Sequence, residues 1–150
     1  MFHVAIVDPA LIPAIILGRK TIESRLARVR ALPHDRVARG DIISFKARGG
    51  PILCACTVER VQTLDNLRPA DIRRIRDTLN HRIGADAAYW RRKRTARHAT
   101  LIWLGSPRPV HATLDHAQII AGTPRSAWMT LAAPLERAAS SSPAHRRKAG

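Results

Sequence analysis

Lys20, Glu23 and Arg25 crowd into Gly18-Arg19-Lys20-Thr21-Ile22-Glu23-Ser24-Arg25, a segment that sets cations beside one carboxylate. In an extended chain Thr21, Glu23 and Arg25 share one face, and Ile22, Ser24 and Leu26 take the other. A carboxylate so close to a guanidinium can hold it as a fork for phosphate, or can itself accept an amine from the edge of a base. Lys20 is expected at the mouth of such a site as a mobile point charge. A plainer reading has Glu23 and Arg25 pairing only with each other on an exposed edge strand. The spacing alone leaves both open.

The same groups can be asked to do hydrolysis. RNA cleavage needs a base for the 2′-hydroxyl and a cation for the developing phosphorane charge, roles open to Lys20, Glu23, Arg25 and Lys46. Ser126, near Trp128, is a further polar candidate. A second constellation, Tyr89-Trp90-Arg91-Arg92-Lys93-Arg94 with Arg97 beyond it, interleaves aromatics with cations. Aromatic rings stack on unpaired bases while neighbouring cations hold the backbone, which is what single-stranded RNA recognition needs. A helix would part Tyr89 from Trp90, placing one in the core and the other along the cleft.

Charge agrees with an anionic partner. The sequence holds 26 Lys and Arg against 11 Asp and Glu, a net charge of +15. A bias toward arginine explains Arg in place of Lys but not the shortage of acids, so nucleic acid is the expected partner. Cys54 and Cys56 flank Ala55 in a strand-like run and share a face, poorly placed to bridge each other. They read as small core residues of a reduced protein. A zinc site would need further convergent ligands, and the spacing of the seven histidines offers none, so neither metal nor cofactor is expected. No run reaches the length of a membrane span, and Val4 to Leu17 is broken by Asp8, Pro9 and Pro13. No signal peptide is read, and a cytoplasmic protein is expected. Protein partners are left open, and an adaptor using apolar Trp surfaces has the least support because it does not need the charge.

The elements that must position these residues follow from pattern. His3 to Val7 reads as a strand, and Ala10 to Leu17 as a short helix closed by Gly18. Thr21 to Leu26 alternates as a strand. Ala27 to Arg39 has no period and reads as a mobile loop over one rim. Asp41 to Lys46 and Ile52 to Val61 read as antiparallel strands joined at Gly49-Gly50-Pro51. Pro69-Ala70-Asp71 opens a helix that buries Ile72, Ile75 and Leu79 and leaves Arg73, Arg74 and Arg76 outside, as a solvated face or a phosphate track. Arg97 to Leu104 is β-rich, Pro107-Arg108-Pro109 is expected to loosen the chain, and Arg125 to Leu131 reads as the closing strand.

Gly18-x-Lys20-Thr21-x-Glu23-x-Arg25, then Gly40-Asp41 opening a strand, then Val58-Glu59-Arg60-Val61, resembles in order and spacing the ASCH (activating-signal-cointegrator homology) family. The run from Tyr89-Trp90 to Ala99-Thr100-Leu101-Ile102 is similar to bacterial members. The resemblance covers residues 3 to 131. It implies an α+β fold, a PUA-like β-barrel with short flanking helices that cradles RNA or a modified base. It also implies three activities to weigh: passive binding, hydrolysis of the acetyl amide of acetylcytidine, and RNA cleavage. The small amidohydrolase members pair the lysine with a threonine three positions later, where this chain has Glu23, and their glutamate falls in Leu67 to Ile75, where only Asp71 is acidic. The amidohydrolase reading therefore departs from the family pattern.

The expected organisation is one domain over residues 1–136 and a disordered basic tail over 137–150. The expected activity is binding of RNA or a modified nucleoside through Lys20, Glu23, Arg25, Lys46, Tyr89, Trp90, Arg94, Arg97 and Ser126. An RNA-processing hydrolase using Lys20 and Glu23 is the alternative.

Overall fold

The computed structural model describes residues 1–135; the expected tail at 137–150 lies outside the described residues. Strands β1 (Phe2–Val7), β2 (Ile22–Ala27), β3 (Ile42–Ala47), β4 (Ile52–Leu64), β5 (His98–Ala112), β6 (Ile119–Ala121) and β7 (Trp128–Leu131) form one curled sheet. Its order is β2-β5-β4-β3-β1-β7-β6. The pair β1·β3 is parallel and every other pairing is antiparallel. Helices α1 (Leu11–Ile16), α2 (Pro69–Ile83) and α3 (Ala87–Lys93) flank the sheet, giving the expected α+β architecture as a half-barrel. Among the described residues no helix is long and apolar enough to cross a membrane.

Curling gives the sheet an inside and an outside. Val7, Ile43, Phe45, Cys54, Cys56, Ile102 and Trp128 fill the inside, and α1 adds Ile12 and Ile15. Cys54 and Cys56 are free, fully buried and on one face, and burial pushes both thiols up to about 12. Outside, α2 and α3 lay Ile72, Ile75, Ile83 and Trp90 against Ile22, Leu26, Ala99 and Leu101 of β2 and β5. Each such aliphatic side chain contributes about 1.5–3 kcal/mol when fully buried, so this second core fixes where the ends of α2 and α3 meet β2.

Local signals explain the boundaries. Pro69 takes the first position of α2, and Asp71 accepts from the Arg68 amide at 2.8 Å, closing the N-terminal turn. Gly18, at φ +74°, turns the chain out of α1 and straight into the motif.

Two expectations need correction. The chain does not loosen at Pro107-Arg108-Pro109, because β5 runs unbroken to Ala112. The reason is that β2 pairs only with 98–103, so beyond that β5 has one open edge, and register shifts along β4 absorb the prolines' missing donors. The loop after β2, expected to be mobile, turns inward instead, burying Pro33 and His34 and packing Leu32 and Val37 against the inner core.

Candidate functional site

The half-barrel leaves a seam between β2 and the ends of β1 and β7, and a cleft of about 610 Å³ opens there. Lys20, Glu23, Arg25 and Tyr89 all line it. β2 alternates as its sequence dictates. Ile22 and Leu26 enter the core under α2 and α3, and Ser24 on the same face meets Tyr89, whose hydroxyl lies 2.8 Å from the Ser24 hydroxyl. Glu23 and Arg25 therefore point the other way, into the seam.

Arg25 closes that seam. Its Nη2 donates to the Ile6 carbonyl at 3.1 Å and its Nη1 to the Ala127 carbonyl at 3.3 Å, while the guanidinium sits 5.3 Å from the centre of the Trp128 ring. Its Nε is turned toward Glu23 Oε1 at 3.3 Å without completing a hydrogen bond. Glu23 is 5% exposed, and its Oε2 is buried with no hydrogen-bond partner. Buried carboxylate oxygens are normally satisfied, so Glu23, beside a cleft and without a donor, has accepting capacity to spare.

Lys20 is a correction. Expected as a mobile charge at the mouth, it is only 4% exposed. Its Nζ donates to the carbonyls of Ile22 at 2.9 Å and Ile83 at 2.7 Å, and stands 3.9 Å from Glu23 Oε2. Ile83 ends α2, where carbonyls lack intrahelical partners and the helix dipole favours a cation. The Thr21 amide donates to Arg82 at 2.9 Å beside it, so the start of the motif caps α2. Burial lowers the Lys20 pKa below its ordinary value; Glu23 opposes the shift and Arg25 adds to it.

The aromatic-basic run divides. Trp90 is 6% exposed in the core beneath α3 and offers no face to a base, whereas Tyr89 lines the cleft. Burial of its phenol pushes Tyr89 up to about 12, against the hydrogen bond from Ser24, so it stays a neutral donor. Arg94 is exposed and turns back to the Arg91 carbonyl, and Arg97 is exposed; neither lines the cleft. In their place stand Arg92 and Lys93, one helical turn beyond Tyr89. The helical spacing from Tyr89 was the signal for them. Lys93 donates to the Leu26 carbonyl at 2.9 Å and lies 5.9 Å from the Tyr89 ring centre; burial lowers its pKa, helped by Arg25 and Arg92.

Two other expected residues fall elsewhere. Lys46 extends from the face of β3 opposite Ile43 and Phe45, so alternation carries it away from the seam. The Ser126 hydroxyl accepts from the Thr123 amide at 2.9 Å, closing the turn before β7. Conversely, the cleft gathers Arg48, His34 and His98, which no sequence spacing brought together.

Comparison with solved structures defines the class. The ASCH protein of Zymomonas mobilis is 20% identical and superposes with a TM-score of 0.62, covering 87% of this chain and 86% of that one. A serine-to-alanine variant of it gives 0.64 at 18% identity, covering 87% of each chain. A tyrosine-to-phenylalanine variant gives 0.60 at 19% identity, covering 76% of each. No family model matches the chain, and no curated protein does. The chain has the fold of these ASCH proteins, an α+β half-barrel, as the Gly18 to Arg25 motif led us to expect.

Proposed function

We propose that this protein binds RNA by taking one base, ordinary or modified, into the cleft at the β2 seam. The observation that carries the reading is Glu23, a carboxylate that completes no hydrogen bond among the described residues, in the lining of a cleft that also holds Tyr89, Arg92 and Lys93. A carboxylate reads a base by accepting from its exocyclic amine or ring N–H, an aromatic ring offers a stacking surface, and cations hold the flanking phosphates. The cleft's volume, about 610 Å³, falls within the roughly 300–1,000 Å³ of sites that enclose a small ligand. Such a volume favours a single base over an open groove. The net charge of +15 supports a polyanionic partner.

A second reading, an RNA-processing hydrolase, is favoured by one specific arrangement. Lys20, with its lowered pKa, stands 3.9 Å from Glu23 Oε2, and a perturbed group beside a charged partner in a cleft is where acid–base chemistry is found. Binding without turnover remains the preferred reading, because two of the three Lys20 protons are committed to structural carbonyls.

Fluorescence titration of the full chain with single-stranded RNA and with nucleosides, at several salt concentrations, tests both. Affinity for RNA should fall with salt. Glu23→Gln should weaken binding about tenfold or more, since a hydrogen bond to a charged group is worth roughly 1.5–3 kcal/mol. Chromatography of the same mixtures, including acetylcytidine, separates a reader from a hydrolase. Binding that is independent of salt, or equal in wild type and Glu23→Gln, would sink the proposal.

A further inference from the structure

We propose that His34, Asp65 and His98 form a binding site for a zinc-type divalent cation at the end of the cleft. The inference is independent of RNA binding, and no spacing in the sequence points to it, since the three residues lie far apart along the chain. The fold brings them together from separate elements. His98 begins β5, Asp65 follows β4 directly, and the pairing of Leu64 with Ala99 sets the two side by side. The inward-turning loop after β2 then delivers His34.

One ligand atom from each residue lies within 4.8 Å of the others. Asp65 Oδ1 is 2.6 Å from His98 Nδ1 and 3.1 Å from His34 Nε2, and the two rings meet edge to face with centroids 5.5 Å apart. Zinc bonds of about 2.0–2.1 Å in a tetrahedron separate adjacent ligand atoms by roughly 3.3 Å. The His34 contact already has nearly that length, and the His98 contact must open by less than about 1 Å.

The second observation is independent of this clustering. The His34 side chain is 5% exposed, yet its Nε2 completes no hydrogen bond. A buried imidazole nitrogen without a partner is costly, and this one is aimed at the Asp65 carboxylate. A cation seated between them would take the nitrogen's lone pair and satisfy it. Asp35 Oδ2, 3.6 Å from the same nitrogen, adds negative charge, while Arg30 engages the outer oxygen Oδ2 of Asp65 at 3.4 Å and leaves Oδ1 to the metal.

The donor set names the metal. Two imidazoles and a carboxylate suit zinc over magnesium or calcium, which prefer oxygen ligands. Three protein ligands leave a coordination position free, and because His34 and His98 both line the cleft, that position is open to water or to an oxygen of a bound anion.

Calorimetry of the metal-free full chain with zinc chloride alone tests the proposal. We expect one strong site per chain, weakened at least tenfold in His34→Gln, His98→Gln and Asp65→Asn, with thermal unfolding of each variant recorded without metal. X-ray absorption on the zinc-loaded wild type counts ligands directly and does not depend on how the variants fold. Two imidazoles and no sulfur are expected. Absence of zinc binding, undiminished binding in all three variants, or a sulfur shell from Cys54 or Cys56 would overturn the site.

Discussion

Replacing Lys20 with alanine should destabilise the fold, which a surface lysine would not do. The Lys20 ammonium donates to the Ile22 and Ile83 carbonyls and is 4% exposed, so its loss strips two buried acceptors of their donor at the C-terminal end of α2. Hydrogen bonds to charged groups are worth roughly 1.5–3 kcal/mol each, giving about 3–6 kcal/mol before offsets. Relief of the buried charge returns part of that, leaving a net loss of roughly 2–4 kcal/mol. In a chain of this size each kcal/mol moves Tm by about 2–4 °C, so Tm should fall by roughly 5–15 °C. Lys20→Met keeps much of the aliphatic stem and should recover only the packing share. Urea denaturation and thermal scans of the two variants against wild type provide the measurement. A Tm change below about 2 °C for Lys20→Ala would refute the clamp and return Lys20 to the role of a free charge at the site mouth.

Tyr89→Phe should keep RNA affinity while losing about 1 kcal/mol of stability with the Ser24 hydrogen bonds, whereas Tyr89→Ala should cost roughly 1–3 kcal/mol of binding if the ring stacks on a base; equal RNA affinity in all three proteins would remove Tyr89 from the site. Asp41 predicts an acid-range effect. Burial pushes its carboxyl up, but bonds from the amino terminus, the His3 ring and the Ala38 amide outweigh that and hold its pKa below the ordinary 3.8. A depressed carboxyl contributes stability above its unfolded value and loses it as pH falls through the folded one, so the Tm gap between wild type and Asp41→Asn should narrow as pH drops below about 4. A gap constant across that range would contradict the assignment.

Strands and helices were legible where one face is buried and the other is not. The alternation of Ile43 and Phe45 against Ile42 and Ser44, and the helical spacing of Ile72 and Ile75, survive as burial patterns in β3 and α2, while Leu79 is only partly buried beside them. Pro107 to Pro109 misled because proline signals a broken ladder only when both edges of a strand are paired, and sequence does not disclose that β2 is short. His34 was unreadable for a similar reason. A loop without period can still turn inward on scattered apolar residues such as Leu32 and Val37, and the groups His34 then meets, Asp65 and His98, lie at the ends of other strands.

The site itself was half legible. Spacing located Glu23 and Arg25 on one face of β2, but the cost of burying them depends on what stands opposite, and only the closed seam supplies it. Glu23 lies between Lys20 at 3.9 Å and Arg25 at 3.3 Å, so its charge is balanced. Its hydrogen-bonding capacity is not, because Lys20 gives two of its three protons to carbonyls, Arg25 turns two of its nitrogens to Ile6 and Ala127, and neither completes a bond to Oε2. Were the triad only a structural ion cluster, the same neighbours would be expected to satisfy both carboxylate oxygens, since an unpaired buried acceptor costs roughly 1–3 kcal/mol. A carboxylate with its charge neutralised and accepting capacity to spare is suited to a neutral N–H donor more than to another cation. The edge of a nucleobase, carried in by a phosphate chain that Arg92 and Lys93 can hold, is such a donor.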